Sequence, residues 1–129
     1  MMHIHVNESS VWSGFVDLFD SLGYEIADDG MYSRTLCAYK EFRTGVSTPD
    51  TVSLIAKVYG TGEFSVELVA NSFRPVYLES VPDMFVTFIE AEQEPSDSRK
   101  ARQILADAEA SVGDYIKALS KIKRHADSV

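Results

Sequence analysis

The residues of this chain whose types could do chemistry are few, and most stand apart in the sequence. His3 and His5 are two positions apart, so on a strand both would project from one face and could reach one metal ion. A zinc site takes three or four protein ligands, and only His125 and Cys37 remain as further nitrogen or sulfur donors. The expected reading is an exposed strand face with no metal. Cys37 has no histidine near it in sequence to serve as an activating base, and a buried or half-buried structural thiol is expected. Gly60 and Gly62 are two apart but join two apolar stretches, with no following Lys and Ser/Thr and no helix opening behind them. They make a turn rather than a phosphate loop. Asp28-Asp29 could hold a hard cation, yet the ordered spacing of oxygen ligands in a calcium loop is missing. These patterns predict no catalytic residue, no cofactor and no metal.

Two charged runs are candidates for partner contact instead. Glu90, Glu92, Glu94 and Asp97 form an acidic run that could imitate phosphate spacing and occupy a basic groove on a partner. Lys117, Lys121, Lys123, Arg124 and His125 crowd the end of the chain's last apolar pattern. Basic residues there complement a helix dipole, and a local partner contact is the sharper alternative. The overall charge is −8, unevenly spread. Residues 1–95 hold 15 acidic and 5 basic side chains, a net of −10, whereas residues 96–129 carry +2. Such an acidic body disfavours nucleic acid, whose affinity depends largely on Lys and Arg at phosphates.

The elements that must position these groups are organised around Val52–Ala70, VSLIAKVYGTGEFSVELVA. With Gly60-Thr61-Gly62 as a three-residue loop, Val58 faces Phe64, Ala56 faces Val66 and Leu54 faces Leu68, and one face of the hairpin is wholly apolar. A two-residue loop would pair Ala56 with Glu67 and mix polar with apolar on both faces. Three-residue loops commonly end on an αL residue, which places a positive φ at Gly62.

Upstream, Met2, Ile4 and Val6 alternate with His3 and His5, which predicts a short strand. A helix is expected over 10–22, on Val11, Phe15, Leu18, Phe19 and Leu22, with Ser9 or Ser10 as its cap and Gly23 as its αL terminator. Tyr24-Glu25-Ile26 leaves as a strand, Asp28-Asp29-Gly30 turns, and Tyr32–Phe42 is extended although neither of its faces is cleanly apolar. Residues 43–50 read as loop. Pro75 confines Val76-Tyr77-Leu78 to an edge strand. Over 80–94 the spacing of Val81, Met84, Phe85, Phe88 and Ile89 favours a helix capped by Ser80 and Asp83, against the strand composition of 85–89. From Asp97 onward Ala101, Leu105, Ala108, Val112, Tyr115, Leu119, Ile122 and Ala126 recur at alternating steps of four and three. One long helix is expected, with Gly113 its weak point.

The fold class expected is α+β: a small, mainly antiparallel sheet built on the central hairpin, one N-terminal covering helix, and a long C-terminal helix. All 129 residues form one domain, an acidic α/β body over 1–95 and the helix over 96–129. A chain of this length buries roughly two thirds of its unfolded surface and needs no disulfide to fold. A lone cysteine, the absence of ~18–20 consecutive apolar residues, and an N-terminus without a basic-then-apolar pattern together predict a cytoplasmic protein with no membrane partner. The functional expectation is a non-enzymatic interaction protein, a small acidic inhibitor, immunity or regulatory protein that occupies a protein partner's surface. The seam predicts a homodimer through Leu105, Val112, Tyr115, Leu119 and Ile122. The alternative is a small-molecule-binding or enzymatic α+β domain whose pocket draws on Trp12, Tyr24, Tyr32, Tyr39, Tyr59 and Tyr77.

Overall fold

A computed structural model describes residues 4–45, 51–70, 76–84, 88 and 96–128, and the side chains of these except at 4–11, 96–98 and 122–128. The chain is α+β. Helix α1 spans Ile4–Ser21 and helix α2 spans Ser96–Ser128. Between them lie β1 (Glu25–Asp29), β2 (Thr35–Arg43), β3 (Thr51–Tyr59), β4 (Phe64–Val69) and β5 (Val76–Val81). The strands form one antiparallel sheet in sequence order, so β1 and β5 are its edges.

The central hairpin has the register that its alternation demands: Val58 opposite Phe64, Ala56 opposite Val66, Leu54 opposite Leu68. Tyr59 N donates to Glu63 O at 2.8 Å and Gly62 N to Tyr59 O at 3.0 Å, closing the loop. Gly62 takes φ +99°, which a side chain with a Cβ rarely adopts. Across β2 the core face continues as Leu36, Ala38 and Phe42, interrupted by Lys40 opposite Leu54. That cation explains why neither face of β2 is cleanly apolar in sequence. Lys40 Nζ reaches the rim of the core and donates to Leu22 O and to Glu109 Oε1, each at 3.0 Å.

Helix α1 begins earlier than its serines suggest. Residues 4–6 are helical, which overturns the strand expected there, and Ser9 and Ser10 lie inside the helix rather than capping it. Five residues of alternation are ambiguous, and Ile4 stands seven residues before Val11, in phase with the helical stripe through Phe15, Leu18 and Leu22. The C-terminal end is as expected. Gly23 has φ +84°, Gly23 N donates to Asp20 O and Tyr24 N to Phe19 O, and the Tyr24 ring packs on Phe19 at 5.8 Å. This is a Schellman closure with its hydrophobic contact.

Both helices lie on the same side of the sheet. Phe15, Leu18 and Phe19 of α1 and Ala101, Leu105, Ala108 and Val112 of α2 share one buried cluster with Leu36, Ala38, Leu54, Val58, Phe64 and Val66. Helix α2 runs unbroken through Gly113, and its 33 residues extend ~50 Å at 1.5 Å per residue. The expected helix cap at Ser80 is corrected, because Ser80 and Val81 are strand residues paired to Ser65 and Phe64. Asp83 takes φ +59°, and the chain turns helical at Met84. Met84 and Phe88 are helical and buried, while 85–87 and 89–95 lie outside the described residues.

Two predictions follow from the fold's tightest points. Gly62→Val should lower stability by more than ~1 kcal/mol, and Thr61→Val, at an exposed loop position, should not; urea midpoints of the two variants measure the difference. Tyr24 is buried, and burial, followed by the charge and hydrogen bond of Glu109, raises its hydroxyl pKa far above the usual range. The folded state therefore holds this proton more tightly than the unfolded chain. Its stabilisation is complete below a pH of ~10 and is lost as pH rises through the alkaline range. Urea titrations from neutral to strongly alkaline pH should show that loss in the wild type and a shallower one in Tyr24→Phe.

Candidate functional site

The side of the sheet turned away from both helices carries the side chains that alternate with the core. Pairing aligns them in rows: Asp28, Cys37, Lys57, Ser65 and Ser80 in one, and Glu25, Tyr39, Ile55, Glu67 and Tyr77 in the next. Most are half-buried or exposed, but β4 is buried on both faces, so Ser65 and Glu67 are enclosed. Glu67 is ion-paired, with Lys57 Nζ at 3.1 Å from its Oε1. That hydrogen bond raises the Lys57 pKa and keeps both charges compensated. At the outer end of the second row the Tyr39 hydroxyl donates to Glu25 Oε2 at 2.6 Å.

Where the hairpin loop meets β5, this face holds a hollow of about 290 Å³ lined by Tyr59, Glu63, Ser65, Tyr77 and Ser80. The β3–β4 turn places Tyr59 beside Glu63, and the β4–β5 register places Ser80 beside Ser65. Ser80 Oγ donates to Glu63 Oε1 at 2.5 Å, which fixes the carboxylate at the wall. Ser65 is 3 % exposed and its Oγ has no hydrogen-bond partner. A buried hydroxyl left unpaired costs ~1–3 kcal/mol, so Ser65 is a weak point in the packing of β4. Beside the hollow, β5 leaves Val76 and Tyr77 57 % and 68 % exposed on an edge that pairs with nothing among the described residues. An apolar, unpaired edge strand is a place where another chain can add.

The sequence candidates fall elsewhere. His5 lies in α1, where the two-residue spacing no longer puts neighbours on one face, and His3 is outside the described residues. Among the described residues no three acidic, His or Cys groups are placed to hold a metal. Cys37 is half-buried, and burial pushes its thiol pKa up, the opposite of an activated nucleophile. Asp28 and Asp29 act as turn acceptors, from Gly30 N and Met31 N at 2.9 Å each, and Asp28 also accepts from Ser33 Oγ. The bonds from Gly30 and Ser33 hold the Asp28 carboxyl below its usual range. Glu90, Glu92 and Glu94 lie outside the described residues; Asp97 is in the first turn of α2, its side chain not described.

The seam needs revision. Leu105 and Val112 are 0 % and 1 % exposed in the chain's own core, so they cannot meet a second copy without opening it. Tyr115 is half-buried and packs against that core. Leu119 is half-buried and the side chain of Ile122 is not described. The chain's own core takes the first half of the seam, at Leu105 and Val112. Of the six aromatics expected to supply a pocket, Tyr59 and Tyr77 line the hollow. Tyr24 is core, Trp12 packs at the core's edge, Tyr39 binds Glu25, and Tyr32 is exposed. The hairpin register already puts Tyr59, Glu63 and Ser65 on one face, but Ser80 and Tyr77 join them only through the β4–β5 register, which the sequence alone did not supply.

No protein-family model matches the chain, and comparison with curated proteins and with solved structures found no match. The site must therefore be read from its own chemistry.

Removing the orphan hydroxyl tests the geometry directly. Ser65→Ala should raise the urea midpoint, by the equivalent of up to ~1–2 kcal/mol, because it removes a desolvated group and very little volume. A lowered midpoint would mean that the hydroxyl is satisfied when the free protein is in water.

Proposed function

We infer that the chain is a non-enzymatic protein-binding protein that engages a partner through β5 and the sheet face beside it. The observation that carries this reading is the exposure of Val76 and Tyr77 on an edge that pairs with nothing among the described residues, next to the hollow lined by Tyr59, Glu63 and Ser80. An extended partner segment can add to such an edge by main-chain hydrogen bonds and set alternate side chains against the face. The net charge of −8 makes a basic partner surface the complementary one. An inhibitor, immunity or regulatory protein works in this way, by occupying a surface its target needs. The acidic run over 90–97 belongs to the same reading as an auxiliary electrostatic contact. A cytoplasmic setting belongs to it too, motivated by the single cysteine. No helix among the described residues is long and apolar enough to cross a membrane. Self-association through Tyr115, Leu119 and Ile122 is a lesser part of the proposal, since the core already takes Leu105 and Val112.

The test is differential capture. Wild-type protein and the exposed double variant Val76→Lys/Tyr77→Lys are used as bait in extracts of the native host, and bound proteins are identified by mass spectrometry. A specific partner should be retained by the wild type and lost by the variant, whose thermal unfolding should stay close to wild type because both positions are exposed. For the isolated pair, the association rate should fall as salt rises, since exposed charges are screened beyond ~8 Å at physiological ionic strength. A partner held equally by both baits would overturn the assignment of the surface.

A further inference from the structure

The hollow has a chemistry more specific than the surface around it. Among the described residues its lining holds one carboxylate, Glu63, two serine hydroxyls and two phenol rings, and no cation. The nearest lysine in the same cross-strand row, Lys57, is already paired to Glu67. Glu63 Oε1 takes the Ser80 hydrogen, and Glu63 has no ion pair with a described basic residue. Ser65 Oγ is enclosed, unpartnered and in the wall. Acceptor oxygens, an uncompensated carboxylate and aromatic rings are together the environment of a bound cation. At about 290 Å³ the space sits at the lower limit for small-molecule pockets, a size suited to one side chain.

Resting on the protein-binding reading above, we propose that this hollow receives an arginine side chain of the partner. A guanidinium is flat, stays charged, is more weakly hydrated than an ammonium and carries five donors. Its plane can lie against a tyrosine ring while its N–H groups meet the oxygens of the Glu63 carboxylate. A lysine would present a compact, strongly hydrated point charge, with less to gain from the rings. A positive occupant is the complementary one, because the described lining residues carry an acid and no base and the body around them is acidic, with a net of −10 over residues 1–95. An edge-added strand running along β5 would set its alternate side chains near this hollow, which supplies the partner segment's register.

The experiment is a titration of the full-length 15N-labelled protein with the peptide Ac-Gly-Arg-Gly-NH2, followed by amide chemical shifts. Shifts should centre on Glu63, Ser65 and Ser80. Glu63→Gln should weaken the peptide about tenfold or more, as loss of a charged hydrogen bond does. Tyr77→Ala should weaken it several-fold. Glu41→Gln makes the same change in net charge at an exposed position of β2 and should leave affinity unchanged. The citrulline peptide, isosteric and neutral, should not bind. Equal binding of the citrulline or the lysine peptide, or equal weakening by Glu41→Gln and Glu63→Gln, would overturn the assignment. So would concentration-dependent shifts at the same amides without peptide, which would put a second copy of the chain in the hollow. A captured partner lost by the β5 variant yet bound equally by wild type and Glu63→Gln would overturn the arginine site and leave the binding surface standing.

Discussion

The ring of Phe15 is the contact on which the rest of the structure depends. It stacks on Phe88 with centroids 4.0 Å apart, lies 5.8 Å from Phe64 and 6.0 Å from Phe19, and is fully buried. One side chain thereby joins α1, strand β4 and the helical turn that follows β5. Burying a phenylalanine contributes about 1.5–3 kcal/mol and each aromatic pair about 0.5–1.5 beyond that, against a typical total stability of about 5–15. Gly14 makes the close approach possible, because a Cβ there would stand 2.6 Å from the Phe88 ring. A glycine inside a helix weakens it, and here the loss is offset by an approach that no other residue allows.

That contact fixes α1 on the side of the sheet that α2 also covers through Leu105 and Val112, and the shared side decides what the other side can be. The helix-covered face is closed by Phe15, Phe19, Leu105 and Val112 against alternate residues of β2, β3 and β4. Helix α2 is held at its approach by the Lys40–Glu109 pair, with Lys40 also 5.5 Å from the centre of the Tyr24 ring. Such a pair has exposure enough to be screened, so its value is orientation more than stability. The opposite face is free to carry tyrosines, serines and carboxylates in rows set by strand pairing.

How far the sequence could be read follows from how local each signal is. The hairpin register was legible because one residue of slip would move Leu54, Ala56, Val58, Phe64, Val66 and Leu68 to the polar face together. Gly23 and Gly62 were legible because each requires a backbone conformation that few other residues take. The first residues were misread because Ile4 and Val6 fit period two over five positions, and only the stripe from Val11 onward decides for helix. Lys40 obscured the core face of β2, since its partner Glu109 is 69 positions away. The same distance problem hid the hollow. The hairpin register placed Tyr59, Glu63 and Ser65 on one face, but Tyr77 and Ser80 join them only through the β4–β5 pairing.

Where the molecule tolerates unfavourable features is itself informative. Lys40 lies on the core side of β2 but is neutralised by Glu109. Glu67 is enclosed but paired with Lys57, and Asp28 and Asp29 are satisfied by backbone amides. These groups follow the rule that buried or crowded polar atoms find partners. Beside the exposed Met31 and Tyr32 of the β1–β2 turn, several exceptions share one corner: an orphan hydroxyl at Ser65, a carboxylate at Glu63 without a described cation, and apolar side chains exposed on the edge at Val76 and Tyr77. Scattered through the fold, such features would be ordinary imperfections. Adjacent on two neighbouring strands, each has a remedy that the same event supplies, because a strand laid along β5 would pair the edge, cover Val76 and Tyr77, and bring a side chain to Glu63 and Ser65. These are the local conflicts that the proposed partner strand would resolve together.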